Sequence, residues 1–299
     1  MKAIQITQNG GPEVLTLVDL PTPAPAPGQV RIRIEASGVN FIDTYFREGR
    51  YPAQLPYTLG QEAAGVVEEV ASDVSTLAPG DRVAWCGIPG TYATHALAPA
   101  DRVLRIPDGL STRDAAGVIL QGMTAHYLVF ATHVPQFGDK VLIHAGAGGT
   151  GHLLIQLAKR LGAHVITTVS TPEKAEYARA AGADDVILYT QEDFVERVHE
   201  ITGGDGIPVV YDSVGKSTFE QSLKCLCPRG LLVLFGGASG AVPPFDLIRL
   251  STMGSLYITR PTLKDYVATR EDLEERARDI FRWVADLSLI HISEPTRPY

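Results

Sequence analysis

The chain is short of cysteine, short of positive charge and without long apolar runs, and each shortage removes a class of protein. Cysteine occurs three times in 299 residues, as Cys86, Cys225 and Cys227. An odd, scattered set builds no disulfide framework of the secreted kind. Cys225-x-Cys227 has no second ligand pair beside it, so it reads as two helix-end thiols rather than half of a metal site. Lys and Arg number 26 against 34 Asp and Glu, a net charge of −8 with no basic run. That balance argues against nucleic acid or an anionic membrane as partner. No apolar run approaches the ~20 residues a membrane span needs. The N-terminus, Met1-Lys2-Ala3-Ile4-Gln5-Ile6-Thr7, alternates like a strand and lacks the apolar centre of a signal peptide. A cytoplasmic protein is expected. What is present is ordinary globular material: 45% hydrophobic, 20% charged, 29 Gly and 20 Pro, enough for about two domains.

The first 110 residues read as β-rich. Val30-Arg31-Ile32-Arg33-Ile34 alternates apolar and polar. Gly65–Val70, Arg82–Trp85, Tyr92–Leu97 and Arg102–Ile106 follow, divided by turns such as Pro79-Gly80-Asp81, the pattern of a compact barrel or sandwich. The Pro21–Gly28 run is a stiff extended connector. At Ser111 the pattern changes. Ser111-Thr112-Arg113-Asp114 has the form of a capping box with Asp in the Glu/Gln place, opening a helix toward Tyr127. Strands are then predicted at 141–144, 164–169, 185–189, 209–212 and 231–235, alternating with helices at 150–161, 172–181, 192–201 and 217–225. That βαβαβαβαβ order predicts a doubly wound parallel sheet. A last helix is predicted over Glu271–Ala285.

Gly146-Ala147-Gly148-Gly149-Thr150-Gly151 fits G-x-G-x-x-G between a predicted strand and helix, the context of a dinucleotide-binding loop. Glycines allow the tight turn and the close approach of backbone amides to a pyrophosphate, and the helix N-terminus favours the anion. No G-K-[ST] follows, which sets aside a P-loop. An NAD-preferring site would place a carboxylate at the end of the second strand. That strand ends Thr168-Val169-Ser170-Thr171, with Lys174 just beyond, groups that suit the 2′-phosphate of NADP(H). Lys174 as a solvated helix lysine is the competing reading, and Glu173 beside it is an unhelpful charge. Tyr189 either flanks the adenosine or is a strand-end aromatic. His126, His133, His144 and His152 share no metal-like spacing and read as packed or surface histidines.

The order of parts resembles the medium-chain dehydrogenase/reductase superfamily, within it the zinc-free NADPH:quinone oxidoreductase (zeta-crystallin-like) group. The carrying stretches are Asn9–Leu15, Gly38-Val39-Asn40-Phe41-Ile42-Asp43-Thr44-Tyr45, Gly60-Gln61-Glu62-Ala63-Ala64-Gly65, Gln121–Ala125, the glycine loop, Val210–Gly215 and Ser255–Pro261. The resemblance runs from residue 1 to about 286. It implies an α/β fold: a GroES-like β-rich catalytic domain over 1–123, a doubly wound Rossmann domain with a parallel sheet over 124–257, and a return segment over 258–286. Zinc members of the superfamily use a Cys where this chain has Asn40 and a His where it has Gln61, and they carry a four-cysteine lobe absent here. No metal is therefore expected, and the chemistry moves from alcohol oxidation to reduction of an electron-poor acceptor, a quinone or an enone, with NADPH.

By that resemblance Asn40 would supply an amide donor or acceptor beside the nicotinamide, Asp43 would brace the loop or the carboxamide, and Tyr45 and Tyr51 would line the acceptor site. Two bland readings stand beside these: Asp43 capping a short helix, and Tyr51 as a packed loop aromatic. Phe41, Ile42, Thr124, Tyr127, Phe235, Gly236, Ser239 and Thr259 would join Gly146, Gly148, Gly149, Thr150, Gly151, Ser170, Thr171, Lys174 and Tyr189 around the cofactor. A homodimer paired near Leu256–Tyr257 is implied. A catalytically silent, crystallin-like NADPH binder is the reading from another class. From 287 to 299 the text, Leu287-Ser288-Leu289-Ile290-His291-Ile292-Ser293-Glu294-Pro295-Thr296-Arg297-Pro298-Tyr299, departs from the family and looks like translated sequencing-adapter sequence. The expectation is a reading frame cut short, with the tail not native.

Overall fold

The computed structural model describes residues 1–286 with Ser288 and Leu289; the rest of the expected non-native tail lies outside the described residues. The chain divides into two compact units, one of Met1–Met123 with Val267–Ser288 and one built on Thr124–Tyr266.

The first unit carries β1 (Lys2–Ile6), β2 (Thr16–Asp19), β3 (Gln29–Ser37), α1 (Phe41–Arg47), β4 (Tyr57–Thr58), β5 (Glu62–Val70), β6 (Arg82–Cys86), β7 (His95–Pro99) and β8 (Leu104–Arg105). A five-stranded antiparallel sheet runs β7-β3-β5-β6-β8, and a three-stranded one runs β2-β1-β4. The alternation in β3 does what its period demands. Val30 and Ile32 are fully buried against Val67, Val83 and Trp85, while Arg31 and Arg33 reach Glu68 and Glu69 on the other face. Each such buried aliphatic contributes about 2 kcal/mol of apolar burial. The strand predicted at 92–97 is shifted to His95–Pro99. Residue 92 is held instead by β1, since Ile4 N–H donates to Tyr92 O at 2.8 Å.

α2 (Thr112–Tyr127) begins where the capping residues predicted. Ser111 Oγ accepts the Asp114 N–H at 3.0 Å, and the Asp114 carboxylate accepts the Ser111 hydroxyl at 2.6 Å. α2 continues into a wider turn over Leu128–Thr132, and Thr112–Thr132 together give one helix of 21 residues long and apolar enough to cross a membrane. This corrects the reading that no apolar stretch approaches that length. Most of the helix is buried inside the protein, which is how a core helix passes the same test.

The second unit holds β9 (Lys140–His144), α3 (Gly149–Arg160), β10 (His164–Val169), α4 (Pro172–Ala180), β11 (Asp185–Leu188), α5 (Phe194–Thr202), β12 (Ile207–Asp212), α6 (Phe219–Lys224), β13 (Leu226–Leu234), α7 (Ile248–Thr252), β14 (Tyr257–Thr259) and α8 (Leu263–Tyr266). Its sheet is parallel throughout in the order β11-β10-β9-β12-β13-β14, the doubly wound arrangement predicted. Val141, Leu142 and Ile143 are all fully buried, as expected of a strand covered on both faces. β13 begins well before residue 231. Pro228-Arg229-Gly230 reads as a turn, but Arg229 takes φ 64° and the register with β12 shifts there, so an irregularity absorbs the turn residues within the strand. Cys225 closes α6 and Cys227 lies on β13, so only the first of the two is a helix-end thiol. The last helix, α9 (Arg270–Ala285), belongs to the first unit, where Arg270 Nη1 donates to the carbonyls of Asp101 and Val103 at 2.8 Å.

Candidate active site

The glycine loop leaves β9 and enters α3 beside the point where the sheet order reverses, between β10 and β12. Two of its glycines have no room for a side chain. A Cβ at Gly146 would lie 2.1 Å from Thr167 Oγ1, and one at Gly151 would lie 2.3 Å from the Ala145 carbonyl oxygen. A Cβ at Gly148 would lie 3.2 Å from that oxygen, an approach small shifts relieve. Helix starts in this unit are of both kinds, α6 and α7 lacking a side-chain cap as α3 does. α4 is capped by Thr171 and α5 by Asp193, whereas Gly148 gives α3 no side-chain cap. The first N–H groups of α3, from Gly149, Thr150 and Gly151, therefore meet no capping side chain, which is what a pyrophosphate site requires. This cradle fits a dinucleotide.

The groups read as a 2′-phosphate site do come together. Lys174 Nζ donates to Ser170 Oγ at 3.1 Å, and Lys174 N–H donates to Thr171 Oγ1 at 3.3 Å. The glycine loop leans on the same strand end, with Gly146 N–H donating to Thr168 O at 3.3 Å. Tyr189 is exposed, and Thr190 beside it donates to Ser170 O at 3.0 Å. Gly236 sits against the backbone of Ser213, where a Cβ would be 2.3 Å from the Ser213 oxygen. The loops after β12 and β13 thus touch, and Ser239 ties them: its hydroxyl donates to Val214 O at 2.8 Å and accepts the Ser217 N–H at 2.9 Å. Phe235 is half-buried and donates its N–H to Asp212 O. Thr259 ends β14 and Thr124 is half-buried at the start of the unit. Tyr127 is nearly fully buried, its ring stacked on Tyr266 at 4.3 Å, so that ring is occupied by packing rather than offered as a face.

In the first unit the Asn40–Tyr45 segment is α1 with its cap. Asp43 stands at the third helical position, and its carboxylate accepts the Asn40 N–H at 3.0 Å, the return half of a capping box. Asp43 is therefore not the cap of a helix beyond it: α1 already starts at Phe41, Asn40 is its cap, and Asp43 closes the box from within the helix. The same oxygen also accepts the Tyr92 hydroxyl at 2.7 Å. Burial raises the Asp43 pKa against the pull of Tyr92. Tyr45 is buried, edge-on to Phe41 at 5.7 Å and to Tyr51 at 5.3 Å, with the Arg50 guanidinium 5.4 Å from its ring centre. Phe41 is exposed and Ile42 and Tyr51 half-exposed, so the flat surface expected of Tyr45 is presented chiefly by Phe41 and Tyr51.

Sequence reasoning missed three residues here. Glu62 is fully buried, and its Oε2 accepts Asn40 Nδ2 at 2.7 Å while Oε1 accepts the Leu120 N–H at 2.6 Å. Burial pushes its pKa up to about 7. Gln121 Nε2 donates to Asn40 Oδ1 at 3.3 Å, and Tyr92 holds Asp43. Glu62 and Gln121 lie in the very stretches that carry the resemblance, and a charged or amide residue in an apolar run was the available signal. Tyr92 gave none, because strand pairing brings it in. The Asn40 amide faces a carboxylate, and Gln61 Nε2 donates to the Tyr57 hydroxyl at 3.0 Å. Two amides occupy the places of soft metal ligands, and one carboxylate beside them does not make a zinc site. Among the described residues no group of three or more His, Cys, Asp or Glu is placed to hold a metal.

Residues 26–108 match the profile of the alcohol dehydrogenase GroES-like domain and 149–282 that of zinc-binding dehydrogenases. A quinone oxidoreductase of Pseudomonas aeruginosa is 49% identical over 94% of this chain and 87% of its own length. A 2-haloacrylate reductase of a Burkholderia species is 46% identical over 93% and 86%. The crystal structure of Escherichia coli quinone oxidoreductase complexed with NADPH superposes with a TM-score of 0.95 at 44% identity, over 97% of this chain and 89% of that one. The chain belongs to the medium-chain dehydrogenase/reductase superfamily, in its quinone oxidoreductase family.

Proposed function

We propose that the chain is a metal-free reductase that uses NADPH to reduce quinones. The observation that carries this reading is an amide, Asn40, bound to Glu62 where a zinc relative presents a thiolate, in a chain that also has an uncapped glycine cradle. When bound, the reduced nicotinamide supplies a hydride to an electron-poor carbon, and one solvent proton completes the hydroquinone. The α3 amides of Gly149, Thr150 and Gly151 hold the pyrophosphate, with Gly146 and Gly148 shaping the turn. Lys174, Ser170 and Thr171 hold the 2′-phosphate. Tyr189 flanks the adenosine. Phe235, Gly236 and Ser239 shape the ribose side, and Thr124 and Thr259 complete the cofactor site, with Tyr127 packed behind them against Tyr266. Asn40, Phe41, Ile42 and Asp43 border the nicotinamide, and Phe41 and Tyr51, backed by the buried Tyr45, exclude water and position a flat acceptor.

The relative acting on 2-haloacrylate favours a second reading, reduction of a carbon–carbon double bond conjugated to a carbonyl group. Rates on a simple quinone against an enone of similar size separate the two. We also read the chain as a cytoplasmic homodimer, with the return to the first domain beginning at Val267 rather than at 258 as laid out from the sequence. β14 is a sheet edge, and Leu247, Ile248 and Tyr257 near it are 72, 63 and 60% exposed. A monomer in sedimentation at micromolar concentration would remove the dimer.

Lys174→Ala tests the cofactor assignment. An exposed lysine on a phosphate contributes about 1–2 kcal/mol, so the NADPH-over-NADH ratio of kcat/KM should fall roughly tenfold, with NADH rates unchanged. An unchanged ratio removes Lys174 from the 2′-phosphate site.

A further inference from the structure

Asn40 is gripped from three directions within the first unit. Its backbone N–H donates to Asp43 at 3.0 Å, its Nδ2 donates to Glu62 Oε2 at 2.7 Å, and its Oδ1 accepts from Gln121 Nε2 at 3.3 Å. The Glu62 carboxylate has its own place made for it. A Cβ at Gly38 would lie 1.9 Å from Oε2, so the bare glycine lets the chain before Asn40 wrap the carboxylate. Oε1 is taken by the Leu120 N–H at 2.6 Å.

These partners leave one solution. An ionised carboxylate only accepts, and one of its oxygens is committed to a backbone donor that cannot turn. The group facing the other oxygen must be the Asn40 NH₂. One of the two N–H groups of the Asn40 amide is thereby taken, and the amide oxygen is turned away from Glu62. Resting on the reading that Asn40 borders the nicotinamide, we infer that Glu62 is a positioning residue that fixes the orientation of the Asn40 amide, with its oxygen turned away from Glu62 as a hydrogen-bond acceptor for the carboxamide N–H of NADPH.

The network can be inverted by substitution. In Glu62→Gln the oxygen must stay on the Leu120 N–H, so the new NH₂ faces Asn40 and turns that amide over. In Asn40→Asp two carboxylates face each other. In the pair Asn40→Asp/Glu62→Gln, the amide introduced at position 62 donates to one oxygen of the carboxylate introduced at position 40, and the other oxygen is again an acceptor. The experiment titrates each purified variant with NADPH by nucleotide fluorescence, without any acceptor, and with 2′,5′-ADP, which lacks the nicotinamide. The pH is held well above the Glu62 pKa, so that the carboxylate of the unsubstituted chain is ionised. Each single variant should bind NADPH about tenfold more weakly and 2′,5′-ADP as the unsubstituted chain does, and the pair should return to within about threefold. Unchanged NADPH binding in Glu62→Gln, or no recovery in the pair, overturns the inference. If Glu62→Gln does not fold, the pair still carries the test, because it restores every hydrogen bond, and its failure to bind NADPH overturns the inference equally. Failure of the unsubstituted chain to bind either nucleotide overturns the cofactor reading, and the inference with it.

Discussion

Gly151→Ala should abolish NADPH binding at any accessible concentration, a loss of more than about a hundredfold, and lower the thermal midpoint of the second unit. The added Cβ would meet the Ala145 oxygen at 2.3 Å, the Ala145 carbonyl carbon at 3.0 Å and Gly146 Cα at 3.1 Å. Every one of these atoms is backbone, so no rotamer change relieves the clash. The loop cannot yield either, since Ala145 already sits at φ 56° and its carbonyl accepts the Gly148 N–H at 2.9 Å. Relief requires α3 to move off the loop, which removes its N-terminal amides from the pyrophosphate. Overpacking of this kind costs about 1–3 kcal/mol in stability, apart from the lost ligand contacts. Gly146→Ala should be intermediate, because its contact is the Thr167 hydroxyl, buried and donating to Ile143 O at 2.6 Å. Gly148→Ala should cost little. NADPH titrations and thermal unfolding of the three variants give the ranking, and equal effects at 148 and 151 would show that the cradle does not hold the ligand.

The second large effect is on the pH dependence of stability. Glu62 is fully buried and burial raises its pKa from 4.5 to about 7. The folded protein therefore keeps a proton on Glu62 that the unfolded chain releases between pH 4.5 and 7. Stability from this group is fully present below about 4.5 and is lost as pH rises through about 7, roughly 3 kcal/mol in all. Glu62→Gln cannot lose the proton. Its unfolding free energy relative to the unsubstituted chain should climb by about that amount from roughly pH 4.5 to 7.5. The inverted Asn40 amide adds an offset that does not vary with pH, so the slope and not the level carries the result. Asp43, Cys86 and Tyr92 face the same space and titrate in both proteins; Asp43 also raises the Glu62 pKa through its charge. Parallel stability curves would mean that Glu62 is not held in a dry site that resists its ionisation.

The second unit was the more legible half, for a physical reason. Its strands are short apolar runs buried on both faces, and its helices start at residues with a capping oxygen, as at Thr171 and Asp193. Such signals are local. The glycine loop is local too, and Ser170, Thr171 and Lys174 are near neighbours that one helix turn assembles. The first unit is built from pairings far apart in sequence, and there the reading was coarser. Asn40 and Asp43 were singled out, but the partners that give them meaning come from elsewhere: Glu62 on β5, Tyr92 beyond β6 and Gln121 on α2. Tyr45 was read as a face for the acceptor, yet Phe41 and Tyr51 close on it, because α1 starts earlier than expected and turns the ring inward. Pro228-Arg229-Gly230 hid the first half of β13 because turn residues inside a bulge look like a turn.

The most direct measurement is steady-state reduction of 1,4-benzoquinone by the purified chain with NADPH and with NADH, each with and without excess EDTA. The expected result is turnover with NADPH at a kcat/KM at least about tenfold above NADH, unchanged by the chelator. NADPH that binds without turnover on quinones or enones, or activity that disappears with EDTA and returns with zinc, would contradict the account.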